Sequence, residues 1–456
     1  MSTLPNIVLI VLDTLREDYS TSLDSILVKE GFCKLPNCIS PSPWTIPSHV
    51  SMLSGEYPSV HGTHETPVKK ADEVRVLQRI KLLNYVLKKK GYRTYLFTSN
   101  PYVHPLFGFS PFDIVIERFL GNKKDILTIS ERAVIKDLRH SYGKVRTFVK
   151  LLKQGHFSIL MKLPIHYLLH AFYTLYKISP FYAIDMGTRK LIRDISKVSL
   201  NPPFFLLVNI MEMHEPYLKD QNKDINLKNL RANFIPEMLN NIDLDSIRDE
   251  YLRRSKQLGE YISQLLGILK EKMLFDNSVI IITSDHGQLL GEYGKIGHGT
   301  FLYDELLKVP FFIKIPGWDC TINLEQNKWL SLTRVWDIVT TLVYFQNMNN
   351  IDIEKFIFGL YSDVVFSESF GIAQNISNIP EADKVRMEKH RIAIYHGPYK
   401  GIYNVDDNVL EFIKPYDPNA EITEDVKIML IKDAKKFLKQ AKLKSAIRKI
   451  NIRKNF

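Results

Sequence analysis

Asn6-Ile-Val-Leu-Ile-Val-Leu12 is a continuous apolar run that ends on a carboxylate, Asp13. A strand with one wet face alternates apolar and polar residues, whereas a strand apolar throughout is buried on both faces. The run therefore reads as a parallel strand at the centre of a sheet. Comparable runs follow at residues 93–98, 204–210 and 279–283, with 309–315 a further candidate. Helical patterns lie between them. Residues 76–90 have apolar side chains at helical spacing and stop at Gly91, and 251–272 reads as a long amphipathic helix feeding the strand at 279. Strands alternating with helices predict an α/β sandwich with a central, mainly parallel sheet between helices. In such open sheets, ligands bind outside the carboxyl ends of the strands. Asp13, the segment after Ile210 and Asp285 all fall at such ends.

The chain of 456 residues is 45% hydrophobic and 24% charged, a balance that excludes a largely disordered or fibrous protein. Its net charge of +11 points at first sight to a polyanionic partner. The charge is not spread evenly. Residues 432–456 hold ten Lys/Arg and one acid, a net of +9. Residues 121–200 hold fifteen Lys/Arg and five acids, a net of +10, which leaves −8 for the rest. The body is mildly acidic, and the surplus sits in two segments.

Those segments set the expected domain organisation. Residues 1–345 form the catalytic domain, interrupted at 121–200 by a basic helical insertion with Tyr167, Phe172, Tyr173, Tyr176, Phe181 and Tyr182 close together. Residues 346–430, with short strands at 364–367 and 391–395, form a small α+β subdomain, and a helix begins near Glu424. Residues 431–456 read as a basic amphipathic helix, with Leu438, Leu443, Ile447 and Ile450 near one side among lysines and arginines. That is the pattern of a helix lying on an anionic membrane surface. Nucleic acid is not expected, because no binding module is recognisable. The three cysteines, Cys33, Cys38 and Cys320, make no disulfide framework and match no zinc spacing, which fits a reducing compartment. The amino terminus runs straight into the first strand without a signal-peptide pattern, and no apolar run reaches the roughly 20 residues of a membrane span. The expected location is cytoplasmic, peripheral at the membrane surface.

Four stretches carry chemistry. The first is Asp13 at the end of its strand. The second is Ser40-Pro-Ser-Pro-Trp-Thr-Ile-Pro-Ser-His49, continuing Val-Ser-Met-Leu-Ser-Gly55 and reaching His61-Gly62. Thr45, just before Ile46-Pro47, belongs at a helix start, where unpaired N–H groups and the dipole favour an anion. A hydroxyl nucleophile attacking a phosphate or sulfate is useful there. The third is Ser284-Asp285-His286-Gly287, an oxygen ligand beside an imidazole after an apolar strand, a pairing suited to a divalent metal. The fourth is Gly297-His298-Gly299-Thr300, followed by Tyr303-Asp304-Glu305; a histidine between glycines reads as exposed in a cleft. Asp13 and Thr45 each also fit a plain helix N-cap.

In this order and spacing the blocks resemble the sulfatase-type branch of the alkaline phosphatase superfamily. Asn209 to Tyr217, with His214-Glu215-Pro216-Tyr217, is similar to its substrate segment, and Gly91-Tyr92-Arg93-Thr94 with Asn100-Pro101 to its second strand and exit. The resemblance implies an alkaline-phosphatase-like fold and hydrolysis of phosphoric or sulfuric esters. The departures choose between them. Thr45 stands where sulfatases carry the cysteine or serine that becomes formylglycine, and threonine cannot give that aldehyde. A threonine nucleophile is instead what the resemblance associates with phosphodiesterases, nucleotide pyrophosphatases and lipoteichoic acid synthases. His49, His286 and His298 replace Arg, Asn and Lys, and Thr14 replaces an Asp of a calcium-binding pair.

The resulting expectation is a metal-dependent hydrolase or transferase of phosphate mono- or diesters. Asp13, Thr45, Asp285 and His286 are the metal ligands, with Mn or Zn favoured over Mg or Ca. Thr45 is the nucleophile, His214 and His298 bind the ester or move its proton, and His49 contributes to substrate binding. Glu212, His214 and His298 are candidate ligands for a second metal. His61 and His64 are expected to be structural or solvent-facing. The substrate partner is an anionic phosphate or sulfate ester. Sulfuric ester hydrolysis and a non-catalytic membrane-surface scaffold are the alternatives.

Overall fold

The computed structural model describes residues 4–118, 127–177, 186–217, 233, 239–240, 242–320, 327–344, 352–376 and 379–454. The strands of its central sheet are β1 (Asn6–Leu12), β2 (Cys33–Lys34), β3 (Arg93–Thr98), β4 (Ile114–Glu117), β5 (Phe204–Ile210), β6 (Ser278–Thr283) and β7 (Phe311–Lys314). Their spatial order is β2-β7-β6-β1-β5-β3-β4. All pairs from β6 through β1, β5 and β3 to β4 are parallel, and β7 runs antiparallel to both β6 and β2. The expected α/β architecture with a mainly parallel sheet is what the chain forms.

Every residue of β1, β5 and β6 is buried, which is why their sequences are apolar without alternation. Alternate side chains still divide between two layers. Ile7, Leu9 and Val11 face the layer that holds Val50, Leu83 and Val339. Val8, Ile10 and Leu12 face the layer that holds Leu191, Leu258 and Leu265. The register fixes the site. Leu12 lies opposite Ile210, and Val11 opposite both Asn209 and Thr283, so three strands end level. The Asp13 N–H continues the ladder to the Ile210 carbonyl at 2.8 Å.

Two helices differ from expectation. The helix expected over 76–90 begins only at Leu83 and ends at Lys89. Residues before it are committed elsewhere: the Val76 N–H bonds the Phe107 carbonyl, and Val74 and Val76 are buried. Helix Thr188–Lys197, inside the segment read as a basic insertion, buries Leu191, Ile192 and Ile195 against the sheet and so serves the core. Among the described residues that segment also forms helices Ile129–Lys153 and Phe157–Lys177. Of its aromatics, Tyr167 is exposed; Phe181 and Tyr182, and the side chains of Phe172, Tyr173 and Tyr176, lie outside the described residues.

The carboxyl-terminal part is a four-stranded antiparallel sheet made of Val364–Ser369, Arg391–His396, Tyr399–Asn404 and Val409–Pro415 in sequence order. Helix Glu424–Lys454 docks on it through Leu430, Ala434 and Phe437. The apolar side read from sequence therefore splits: Leu438 packs on this cluster, Leu443 and Ile447 are exposed, and Ile450 lies outside the described side chains. Cys33 and Cys320 form a single disulfide across 287 residues, which the reading of no disulfide framework and a reducing compartment did not include, and Cys38 is free and buried. A pairing between an edge strand and a distant loop leaves no spacing pattern to read. Among the described residues, no helix is long and apolar enough to cross a membrane.

Candidate active site

Thr45 is the first residue of helix Thr45–Ser54, after an extended Trp44, as its position before Pro47 implies. The helix is fixed from two sides. The Ser48 hydroxyl donates to the Asp285 carbonyl at 2.7 Å, and that carbonyl also accepts from Ser40 Oγ at 2.5 Å. His49, one turn after Thr45, sends its Nδ1–H to the Thr45 carbonyl at 2.9 Å, and its Nε2 accepts from Asn209 Nδ2 at 3.0 Å. Burial pushes this ring down to about 3, so it is neutral with both nitrogens engaged. The sequence assigned His49 to substrate; in the structure its two ring nitrogens are taken by the Thr45 carbonyl and by Asn209.

Asp13, Asp285 and His286 offer ligand atoms within 4.8 Å of one another, and all three are buried. Thr45 Oγ1 lies 3.4 Å from His286 Nε2, which joins this hydroxyl to the group. One oxygen of each carboxylate is anchored. Asn100 donates to Asp13 Oδ2 at 2.5 Å, and Asp285 Oδ1 accepts from the backbone N–H groups of His286 at 2.9 Å and Thr14 at 3.3 Å. Thr14 takes a left-handed φ of 62°, a backbone cost that turns the chain so this N–H reaches Asp285. The second oxygens, Asp13 Oδ1 and Asp285 Oδ2, are buried without a hydrogen-bond partner. Burial, reinforced by the facing carboxylate of Asp285, pushes the Asp13 carboxyl up to about 7, and burial does the same to Asp285. Two orphaned carboxylate oxygens aimed together beside an imidazole are a donor set that a divalent cation satisfies.

A second group lies alongside: His214, Glu215 and His298, again with ligand atoms within 4.8 Å. The His298 ring is 4.7 Å from that of His286 and 5.0 Å from that of His214. Expected as exposed, the His298 side chain is in fact only 7% accessible. Its Nδ1–H donates to Gln288 Oε1 at 2.7 Å, and Gln288 Nε2 in turn donates to Glu215 Oε2 at 2.6 Å. His214 Nδ1–H donates to the Glu215 carbonyl at 2.8 Å, and His286 Nδ1–H to the Gly287 carbonyl at 2.9 Å. In all three histidines Nδ1 is the anchored donor, so Nε2 carries the lone pair available for a ligand or a substrate proton. Burial lowers the His298 ring well below its usual value, helped by His286 and His214. Burial also acts to lower His214, but the charges of Glu215 and Asp13 outweigh it and the ring is raised.

Glu212, expected in the second group, is buried with its carbonyl held by Arg254, and Glu215 takes that place. The chain turns after β5, where the His214 N–H bonds the Met211 carbonyl. Asn100, Asn209 and Gln288 also escaped the sequence reading as site residues; their one signal is position, at or just beyond strand ends. His61 is buried, accepting from the Thr63 N–H at 3.0 Å, and His64 stacks on Phe370, so neither joins the site. Gly287 is required for space: a Cβ there would meet the Glu305 carbonyl oxygen at 2.0 Å. The strand-end loop and the 305–306 segment are thus in backbone contact, directly behind His286.

Comparison with known proteins agrees with this geometry. The chain is 30% identical over 115 residues to a low-salt glycan biosynthesis sulfotransferase of Haloferax volcanii, covering 24% of this chain and 26% of that one. It is 28% identical over 177 residues to the lipoteichoic acid synthase of Staphylococcus aureus, covering 35% of this chain and 25% of that one. The matched stretches thus span about a quarter of each relative's length. Among solved structures, a phosphonate monoester hydrolase from Silicibacter pomeroyi superposes with a TM-score of 0.63 at 13% identity, over 96% of this chain and 95% of that one. A 2-O GAG sulfatase gives the same TM-score and identity over 96% and 93%. Both show the fold. The family model described as Sulfatase matches residues 5–319, a span that holds every residue of the two groups above, and the chain belongs to that family of ester-hydrolysing enzymes.

Proposed function

We propose that this protein is a metal-dependent hydrolase or transferase of phosphate mono- or diesters in which Thr45 is the nucleophile. One observation carries the reading: the Thr45 hydroxyl stands at a helix N-terminus, 3.4 Å from His286 Nε2, beside two buried carboxylates whose second oxygens lack partners. Asp13, Asp285 and His286 are the residues that would hold a divalent cation, with Thr45 Oγ1 as a further donor. When bound, that cation supplies positive charge that lowers the hydroxyl pKa and offsets the charge of the ester. The histidine donor in this set favours Mn or Zn over Mg or Ca.

The chain's own residues account for the remaining steps. The first-turn N–H groups of the Thr45–Ser54 helix and its dipole receive the anionic group. His49 and Ser48 fix Thr45 so that its oxygen attacks phosphorus in line. The P–O bond to the leaving group breaks as the Thr45 O–P bond forms, giving a phosphothreonine. His214, whose ring is raised, carries the proton that Nε2 donates to a non-bridging oxygen or to the leaving group, and His298, neutral with a lone pair on Nε2, takes up the proton that the Thr45 hydroxyl releases. Water or an acceptor alcohol then releases the phosphoryl group. A sulfatase reaction needs a formylglycine, and threonine at this position supplies none.

The test is turnover of aryl phosphate, aryl phosphodiester and aryl sulfate with Mn, Zn, Mg or Ca added singly. A phosphate ester should be the best substrate, and Thr45→Ala should lose activity by at least about three orders of magnitude while still binding metal. Preferred hydrolysis of the sulfate, or an active Thr45→Ala, would refute the proposal. The compact His214, Glu215 and His298 group supports a second reading, a two-cation site, which metal analysis giving two equivalents per chain would favour.

A further inference from the structure

Helices Ile129–Lys153 and Phe157–Lys177 pack together, with Leu138 and Leu151 of the first against Ile159 of the second. The first helix is kinked at Gly143, so Leu138 and Leu151 reach this core from either side of the kink. A second apolar row stands on the outside. Phe148, Val149 and Leu152 are exposed on the first helix, and Phe157, Met161 and Ile165 on the second. Phe157, Met161 and Ile165 are four residues apart, so they form a single stripe. The exposure is large, 62% for Phe157 and 78% for Met161. On the first helix, Arg146, Lys150 and Lys153 recur at the same helical spacing and border the apolar row. From Leu163 to Tyr176 the second helix carries no charged residue.

We infer that this hairpin is a docking surface for an anionic lipid bilayer, onto which it lays its apolar stripe while the flanking Arg146, Lys150 and Lys153 meet the headgroups. Charge complementarity identifies the occupant. Residues 129–177 hold nine Lys/Arg and two acids, a net of +7, on a chain whose other parts, outside the last 25 residues, sum to −5, so the attraction is local to this hairpin. Among the described residues, neither helix is long and apolar enough to cross a membrane, and a stripe along the helix surface suits an interfacial contact. The inference is independent of the reaction proposed above, because none of these side chains belongs to the site.

The experiment is co-sedimentation of the full chain with phosphatidylglycerol-containing or pure phosphatidylcholine vesicles at low and high salt. The wild type should pellet with the anionic vesicles and much less with the neutral ones, and salt should weaken it. Phe157→Ser combined with Met161→Ser should reduce partitioning at least about ten-fold. Arg146→Gln and Lys153→Gln should each reduce it roughly five-fold. Turnover of a soluble aryl ester and circular dichroism should be unchanged in these variants; if the apolar double variant misfolds, the basic pair carries the test. Equal pelleting with both vesicle types, no pelleting, or undiminished binding of the variants would overturn the inference. So would a wild-type dimer, seen by analytical ultracentrifugation, that the apolar double variant dissolves without any vesicle binding, since a second copy would then cover the stripe.

Discussion

In Asp13, Asp285, His214, His286 and His298, the atom that could serve as a ligand has a partner atom on the same side chain that is tied down. Asp13 Oδ2 is held by Asn100, Asp285 Oδ1 by two backbone N–H groups, and the Nδ1 of His214, His286 and His298 by acceptors. Such supports keep ligands aimed before anything binds. Asn100→Ala removes one of them without touching a ligand. Its affinity for Mn or Zn, read by titration calorimetry, should fall about 10–100-fold, with the fold intact by circular dichroism. Most of the site was legible in the sequence at this scale. Asp13, Asp285 and His286 follow buried strands directly, and chain continuity alone brings them to one sheet edge. Glu215 and Gln288 were not legible as site residues, because their roles depend on a turn and on a side-chain relay that no local pattern encodes.

At the scale of elements, the carboxyl-terminal sheet is joined to the catalytic body by Asp304. Its carboxylate accepts from Lys400 Nζ at 2.7 Å, Lys414 Nζ at 2.9 Å, Tyr395 Oη at 2.9 Å and Tyr416 Oη at 2.8 Å. Burial opposes its charge, but Lys400, Lys308 and Lys414 outweigh burial and hold the carboxyl below its ordinary value of 3.8. A depressed carboxyl contributes stability that is present above the unfolded pKa and is lost as pH falls below it. Asp304→Asn should therefore destabilise by about 3–5 kcal/mol near neutral pH, because it strands the buried Lys400. The deficit relative to wild type should shrink as pH falls below about 4, measured by urea denaturation across pH. Two strands of this sheet were legible as short runs at 364–367 and 391–395, but the anchoring of the sheet on Asp304 was not. The false helix start at 76 has the same cause: Val76 bonds Phe107, a tertiary contact that overrides helical periodicity.

For the whole molecule, the surplus behind the charge of +11 lies in segments outside the candidate site. The catalytic body is acidic, and its orphaned carboxylate oxygens call for a cation at the centre. The Cys33–Cys320 bridge ties the edge of the sheet to the loop after β7. Under denaturing, non-reducing conditions one thiol per chain, that of Cys38, should react with a thiol reagent. Reduction should cost about 2–4 kcal/mol of stability, the usual effect of opening a long loop; three reactive thiols without reduction would remove the bridge from the account.

The central claim is that Thr45 takes the phosphoryl group. It is tested most directly by rapid acid quench of the enzyme turning over an aryl phosphodiester with Mn, followed by peptide mass spectrometry. The account predicts a phosphoryl-containing adduct on the peptide that carries Thr45, absent from Thr45→Ala. Steady turnover with no adduct on Thr45, or with the adduct on another residue, would contradict it.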